Sequence, residues 1–109
     1  MAFSQDYLDF VLDQLADFGE ITHKKMFGGV GIYKDGLMFG GIMGGTLHLK
    51  VDDQTRPEFI ARGMNSFFHG KKSKKLPSYY EVPIDIVEDR DALKAWTEKA
   101  YEAALRLKK

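Results

Sequence analysis

Along the first twenty residues apolar positions recur at helical spacing. Tyr7, Leu8, Val11, Leu12, Leu15 and Phe18 fall on one arc, with Asp6, Asp9, Asp13 and Asp17 opposite. Ser4 is placed as an N-cap and Gly19 as the residue that closes the helix, so the pattern predicts a helix over 4–18 with a buried face and a solvated one. Phe10 is the misfit, because it projects toward the acidic side. From residue 21 onward the period changes to alternation. The stretch MFGGVGIYKDGLMFGGIMGGTLHLKV, Met26 to Val51, reads as three antiparallel strands, because Asp35-Gly36 and Gly44-Gly45 are pairs that adopt the positive φ angles of two-residue hairpin turns.

These turns set Lys34 opposite Leu37 and Met43 opposite Thr46. With uninterrupted alternation, Tyr33, Met38, Gly40, Ile42, Leu47, Leu49 and Val51 share one face, the expected core. Val30, Ile32, Phe39, Gly41 and Met43 share the other, beside Lys34, Thr46, His48 and Lys50. That second face is more apolar than a wetted sheet needs, so Val30, Ile32, Phe39 and Met43 are expected to form part of a dimer or partner surface. The competing reading covers this patch from within the chain, by the Gly28 to Gly31 segment or by a second hairpin.

Downstream, Asp52 or Asp53 caps a short helix over 55–62, with Pro57 in its first turn and Gly63 at its end. Two further strands, 66–69 and 78–82, are expected around the loop GKKSKKLP, giving a hairpin with a basic tip. A final helix over 90–107 begins among acids and ends among bases, as the helix dipole favours. Its expected buried face holds Leu93, Trp96, Ala100, Ala103, Ala104 and Leu107, with Trp96 as a core anchor.

The pattern fits an α+β domain, a two-layer α/β sandwich in which helices cover one face of an antiparallel sheet. At 109 residues and 44% hydrophobic content, one domain, 1–109, buries a core without staples. Absence of cysteine excludes disulfides and thiolate zinc sites and suits a cytoplasmic location. No apolar run reaches the ~18 residues of a membrane span. Sixteen basic and sixteen acidic residues balance, which argues against coating nucleic acid through bulk charge. The distribution is uneven, however. Residues 1–20 carry acids alone, while Arg62, Lys71, Lys72, Lys74 and Lys75 form a basic run, the expected contact for nucleic acid or a partner.

Candidate chemistry is sparse. The glycines at 28, 29 and 31 lead into a strand and turn, whereas a phosphate loop leads into a helix. His23, His48 and His69 are dispersed, and no serine sits in a nucleophile-elbow context. No enzyme activity, cofactor or metal site is therefore expected.

The segment KKMFGGVGIYKDGLMFGGIMGGTLHLKVDD, the later SYYEVP and the final DRDALKAWTEKAYEAA together resemble the N-terminal domain of the TfoX/Sxy competence regulators. The most specific positions are Met26, Phe27, Gly28, Gly29, Gly31 and Tyr33, then Gly36, Phe39 and LHLK, and finally Tyr79, Tyr80 and Pro83. The resemblance implies a fold like that of secretion chaperones and a regulatory, non-enzymatic role in transcription of DNA-uptake genes. The partner it implies is protein, either the transcription machinery or a cyclic-AMP receptor protein. Full-length competence regulators carry a second, C-terminal domain. The sequence ends with the first, so the expectation is a single-domain interaction module, with a homodimer as one assembly and nucleic-acid binding through hairpin 69–76 as the alternative.

Overall fold

The structure, a computed structural model, describes residues 4–26, 29–66 and 78–108. Helix α1 (Gln5–Gln14) and a 3-10 turn (Ala16–Phe18) lead into four strands, β1 (Thr22–Met26), β2 (Gly29–Lys34), β3 (Leu37–Met43) and β4 (Thr46–Lys50). The short helix α2 (Arg56–Ala61) follows, then β5 (Tyr79–Glu81), the single turn α3 (Ile84–Val87) and the long helix α4 (Arg90–Leu107). The strands form one antiparallel sheet in the order β1-β2-β3-β4-β5.

Local chemistry accounts for the boundaries. Ser4 Oγ accepts the Tyr7 N–H at the start of α1, and Asp89 Oδ1 accepts the Ala92 N–H at the start of α4. Both hairpin turns carry positive φ at both central residues, 54° and 77° at Asp35 and Gly36, 62° and 81° at Gly44 and Gly45. The expected pairings Lys34 with Leu37 and Met43 with Thr46 are present.

All helices pack on one face of the sheet. Leu8, Val11, Leu15 and Phe18 meet Leu93 and Ala100 of α4 over Val30, Ile32, Phe39, Ile42, Leu47 and Leu49. Gln14 Nε2 donates to the Val87 carbonyl at 2.9 Å, which ties α1 to α3 through a buried amide. Phe10 is 41% exposed, as its place on the acidic side requires.

The faces of the sheet differ from the expected ones, and the cause is a bulge. Val30, Gly31 and Ile32 pair with Ile42, Gly41 and Gly40, whereas Tyr33 and Lys34 pair with Met38 and Leu37, so Phe39 is left over. One extra residue reverses the alternation beyond it. Val30, Ile32 and Phe39 are consequently buried with Ile42, Leu47 and Leu49, and Tyr33 and Met38 turn to the outer face. Of the four residues expected to share an interface, Val30, Ile32 and Phe39 belong to the core and Met43 lies half-buried on the opposite side. They form no common surface.

Two further positions depart from expectation. Trp96 is half-buried at the edge of the core, its ring edge-on to Phe59 at 4.8 Å, while Thr97 takes the fully buried position on α4. Leu107 is 45% exposed. The buried face of α4 holds the expected Leu93, Ala100, Ala103 and Ala104, with Thr97 joining them in place of Trp96 and Leu107.

The strand predicted at 66–69 is described only at its first residue, where Ser66 bridges Tyr80 and the Asn65 carbonyl accepts the Glu81 N–H at 2.9 Å. The second strand of that hairpin is β5, and residues 67–77 between them lie outside the described residues.

Candidate interaction surface

The basic run expected to meet a partner divides in two. Lys71, Lys72, Lys74 and Lys75 lie outside the described residues, as does His69. Arg62 is exposed at the end of α2, where its Nη2 donates to both carboxylate oxygens of Asp85 at 2.8 Å and its guanidinium stands 5.8 Å from the Trp96 ring centroid. Its charge serves the joint between α2, α3 and α4. The bond also holds the exposed Asp85 carboxyl below the usual carboxylate range.

The acidic face of α1 is likewise engaged in part, since Arg90 reaches Asp17 at 3.1 Å and Asp13 at 3.5 Å. That contact pins the start of α4 against the end of α1.

The outer face of the sheet is free of the described helices. It presents Tyr33, Met38, Met43, Lys50 and Tyr79, all half-buried, around the buried His48. Their placement follows from register, because His48 stands opposite Gly41 on one side and Glu81 on the other, and Lys50 stands opposite Tyr79. Lys50 Nζ lies 5.0 Å from the Tyr79 ring centroid. Burial pushes the His48 imidazole below its ordinary pKa, opposed by its 2.8 Å hydrogen bond to the Thr46 carbonyl and by Glu81. Burial, with the Tyr33 phenol nearby, pushes Tyr79 up to about 12. Aromatic rings, thioethers and one ammonium suit recognition of another macromolecule.

A concave region of about 490 Å³ lies where β4 ends and α4 ends, lined by Val51, Asp52, Asp53, Arg56, Ser78 and Arg106 among others. Its charges are matched within the chain: Arg106 Nε donates to Asp52 at 2.5 Å and Arg56 to Asp53 at 2.6 Å. Asp52 Oδ1 also accepts the Gln54 and Thr55 N–H groups, so it holds the turn that leads into α2, whose N-cap is Thr55 rather than the expected Asp52 or Asp53. The Arg106 guanidinium beside it holds the Asp52 carboxyl down at about 2. Only a polar role for Asp52 at the approach to α2 was legible locally, since Arg106 is 54 residues away.

Among the described residues no three His, Asp or Glu side chains converge as metal ligands. None of the described helices is long and apolar enough to cross a membrane.

The sequence matches the TfoX N-terminal domain over residues 13–104, from the end of α1 through most of α4. The chain belongs to the TfoX N-terminal domain family. The match takes in all five strands, so the outer face lies within the TfoX unit. No curated protein matches the chain closely.

Proposed function

We propose that the chain is a regulatory module of the TfoX type. In this reading it carries out no reaction of its own and works in the cytoplasm by binding a protein partner that controls transcription of DNA-uptake genes. An activator of the cyclic-AMP receptor protein class is the expected partner. The observation that carries the proposal is the family match across 13–104. The arrangement of the sheet supports it, because the helices occupy one face and leave Tyr33, Met38, Met43 and Tyr79 half-buried on the other. A surface rich in aromatic side chains and methionine adapts to a protein partner at low entropic cost.

The test is genetic and biochemical. Deleting the gene should lower transcripts of DNA-uptake genes, and supplying the chain in trans should restore them. Unchanged transcripts would overturn the reading. The same chain should leave labelled DNA unshifted at low salt in the absence of the activator; a direct shift abolished by changing Lys71, Lys72, Lys74 and Lys75 to Glu would replace it with nucleic-acid binding.

A further inference from the structure

The two ends of the sheet differ. Beyond β5, Ser66 bridges Tyr80 and Asn65 accepts the Glu81 N–H. Beyond β1, none of the described residues continues the ladder. β1 is nevertheless a well-formed template, paired with β2 in unbroken register from Thr22 opposite Tyr33 to Met26 opposite Gly29. Alternate N–H and C=O groups of such a strand point away from its neighbour and can pair with another backbone.

We propose that β1 is a docking edge for an acidic, extended segment of a partner protein, which adds to the sheet as a further strand with its carboxylates toward Lys24, on the outer face of the sheet. The proposal names a surface for the protein-interaction reading above and rests on it.

Charge selects the occupant. Thr22, His23, Lys24 and Lys25 are all exposed, and the strand THKKM contains no acid. Lysine on an edge strand hinders pairing with neutral or basic strands, yet favours a strand of opposite sign. A second copy of the chain is disfavoured, because two β1 edges paired antiparallel about Lys24 would set Lys24 against Lys24 and His23 against Lys25. Nucleic acid would satisfy the ammonium groups but offers no amide ladder to the strand's outward N–H and C=O groups.

Space selects it too. A hollow of about 400 Å³, lined by Thr22, His23, Lys24, Tyr33 and Gly36, opens beside the strand. Side chains of an added strand project there on alternate residues. The hydroxyls of Thr22 and Tyr33 and the ammonium of Lys24, which share the outer face there, suit a carboxylate.

The experiment uses the full chain and a short labelled peptide alternating glutamate and valine, followed by fluorescence anisotropy and amide hydrogen exchange. Saturable binding that weakens with salt is expected, with new protection at residues 22–25. Lys24→Glu should weaken binding about tenfold and confer binding to the matching lysine-valine peptide. An unchanged thermal midpoint will show that this exposed substitution leaves the fold intact. Lys24→Gln should fall between the two. Protection that appears elsewhere, affinity indifferent to Lys24→Glu, or equal displacement by a single-stranded oligonucleotide would each overturn the proposal. So would a peptide-free dimer protected at β1. The two readings fail separately. If Lys24→Glu leaves DNA-uptake transcripts at the wild-type level in cells where deletion lowers them, the regulatory reading stands and the edge is lost. If deletion leaves transcripts unchanged while the peptide still binds at 22–25, the edge stands and the regulatory reading is lost.

Discussion

Arg106 in the last turn of α4 donates its Nε proton to Asp52 Oδ2 at 2.5 Å and so closes the end of the chain onto the turn that follows β4. The Asp52 carboxylate is 9% exposed, and its other oxygen holds the Gln54 and Thr55 N–H groups and the Thr55 hydroxyl. One carboxylate thus caps the approach to α2 and anchors α4. This places charge where a two-layer domain would otherwise have a loose corner.

A pH dependence follows. Asp52 is held at about 2, below its ordinary 3.8, so its contribution is fully present above pH 4 and disappears as pH falls toward 2. Thermal midpoints measured down that range should drop for the wild-type chain and drop less for Asp52→Asn, which cannot ionise. Asp52→Ala at neutral pH should cost about 2 kcal/mol, as for a lost cap with a charged bond, read by urea unfolding.

Phe39 and Trp96 should differ in weight. Phe39 is fully buried and meets Phe18 edge-on at 5.3 Å and Tyr101 at 6.4 Å, so Phe39→Ala should cost about 3–5 kcal/mol. Trp96 is half-buried against Phe59 and Arg62, and Trp96→Ala should cost about 2 kcal/mol. Denaturant unfolding of the two variants ranks them. A larger loss at Trp96 would contradict the placement of α4.

The sequence made the architecture legible because turn chemistry is local: Asp35-Gly36 and Gly44-Gly45 demand positive φ wherever they occur in a hairpin, and the arc of α1 follows from spacing alone. It misassigned the faces of β2 because a bulge depends on how two strands match in length across the sheet. Nothing at Phe39 itself announces an extra residue, although the glycines at 40 and 41 are compatible with one. The same limit hid the Asp52 to Arg106 bond. Helix periodicity located α4 and its buried Leu93, Ala100, Ala103 and Ala104, but placed Trp96 too deep and missed Thr97 at the other margin of the same arc.

The glycines of β3 and of its turn should respond oppositely. A Cβ on Gly41 would stand 2.5 Å from the Val30 carbonyl oxygen, a backbone atom that cannot rotate away, so Gly41→Ala should destabilise by about 1–3 kcal/mol. Gly44, with φ of 62° and nothing near its missing Cβ, accepts asparagine, which tolerates that conformation and favours this turn ahead of glycine. Gly44→Asn should leave the thermal midpoint unchanged or slightly raised.

Thr97 offers a gain in stability. It is fully buried on α4, and its Oγ1 finds no hydrogen-bond partner among the described residues. A buried hydroxyl without a partner has given up its bonds to water with no replacement, a cost of about 1–3 kcal/mol. Valine has nearly the same shape and the same branched stiffness at χ1, so Thr97→Val removes the polar atom without opening a cavity or changing the helix. The variant should be more stable by about 1 kcal/mol, read as a higher urea midpoint at unchanged slope. A lower midpoint would mean that the hydroxyl is bonded in solution, and a changed slope that the substitution altered how compactly the chain packs.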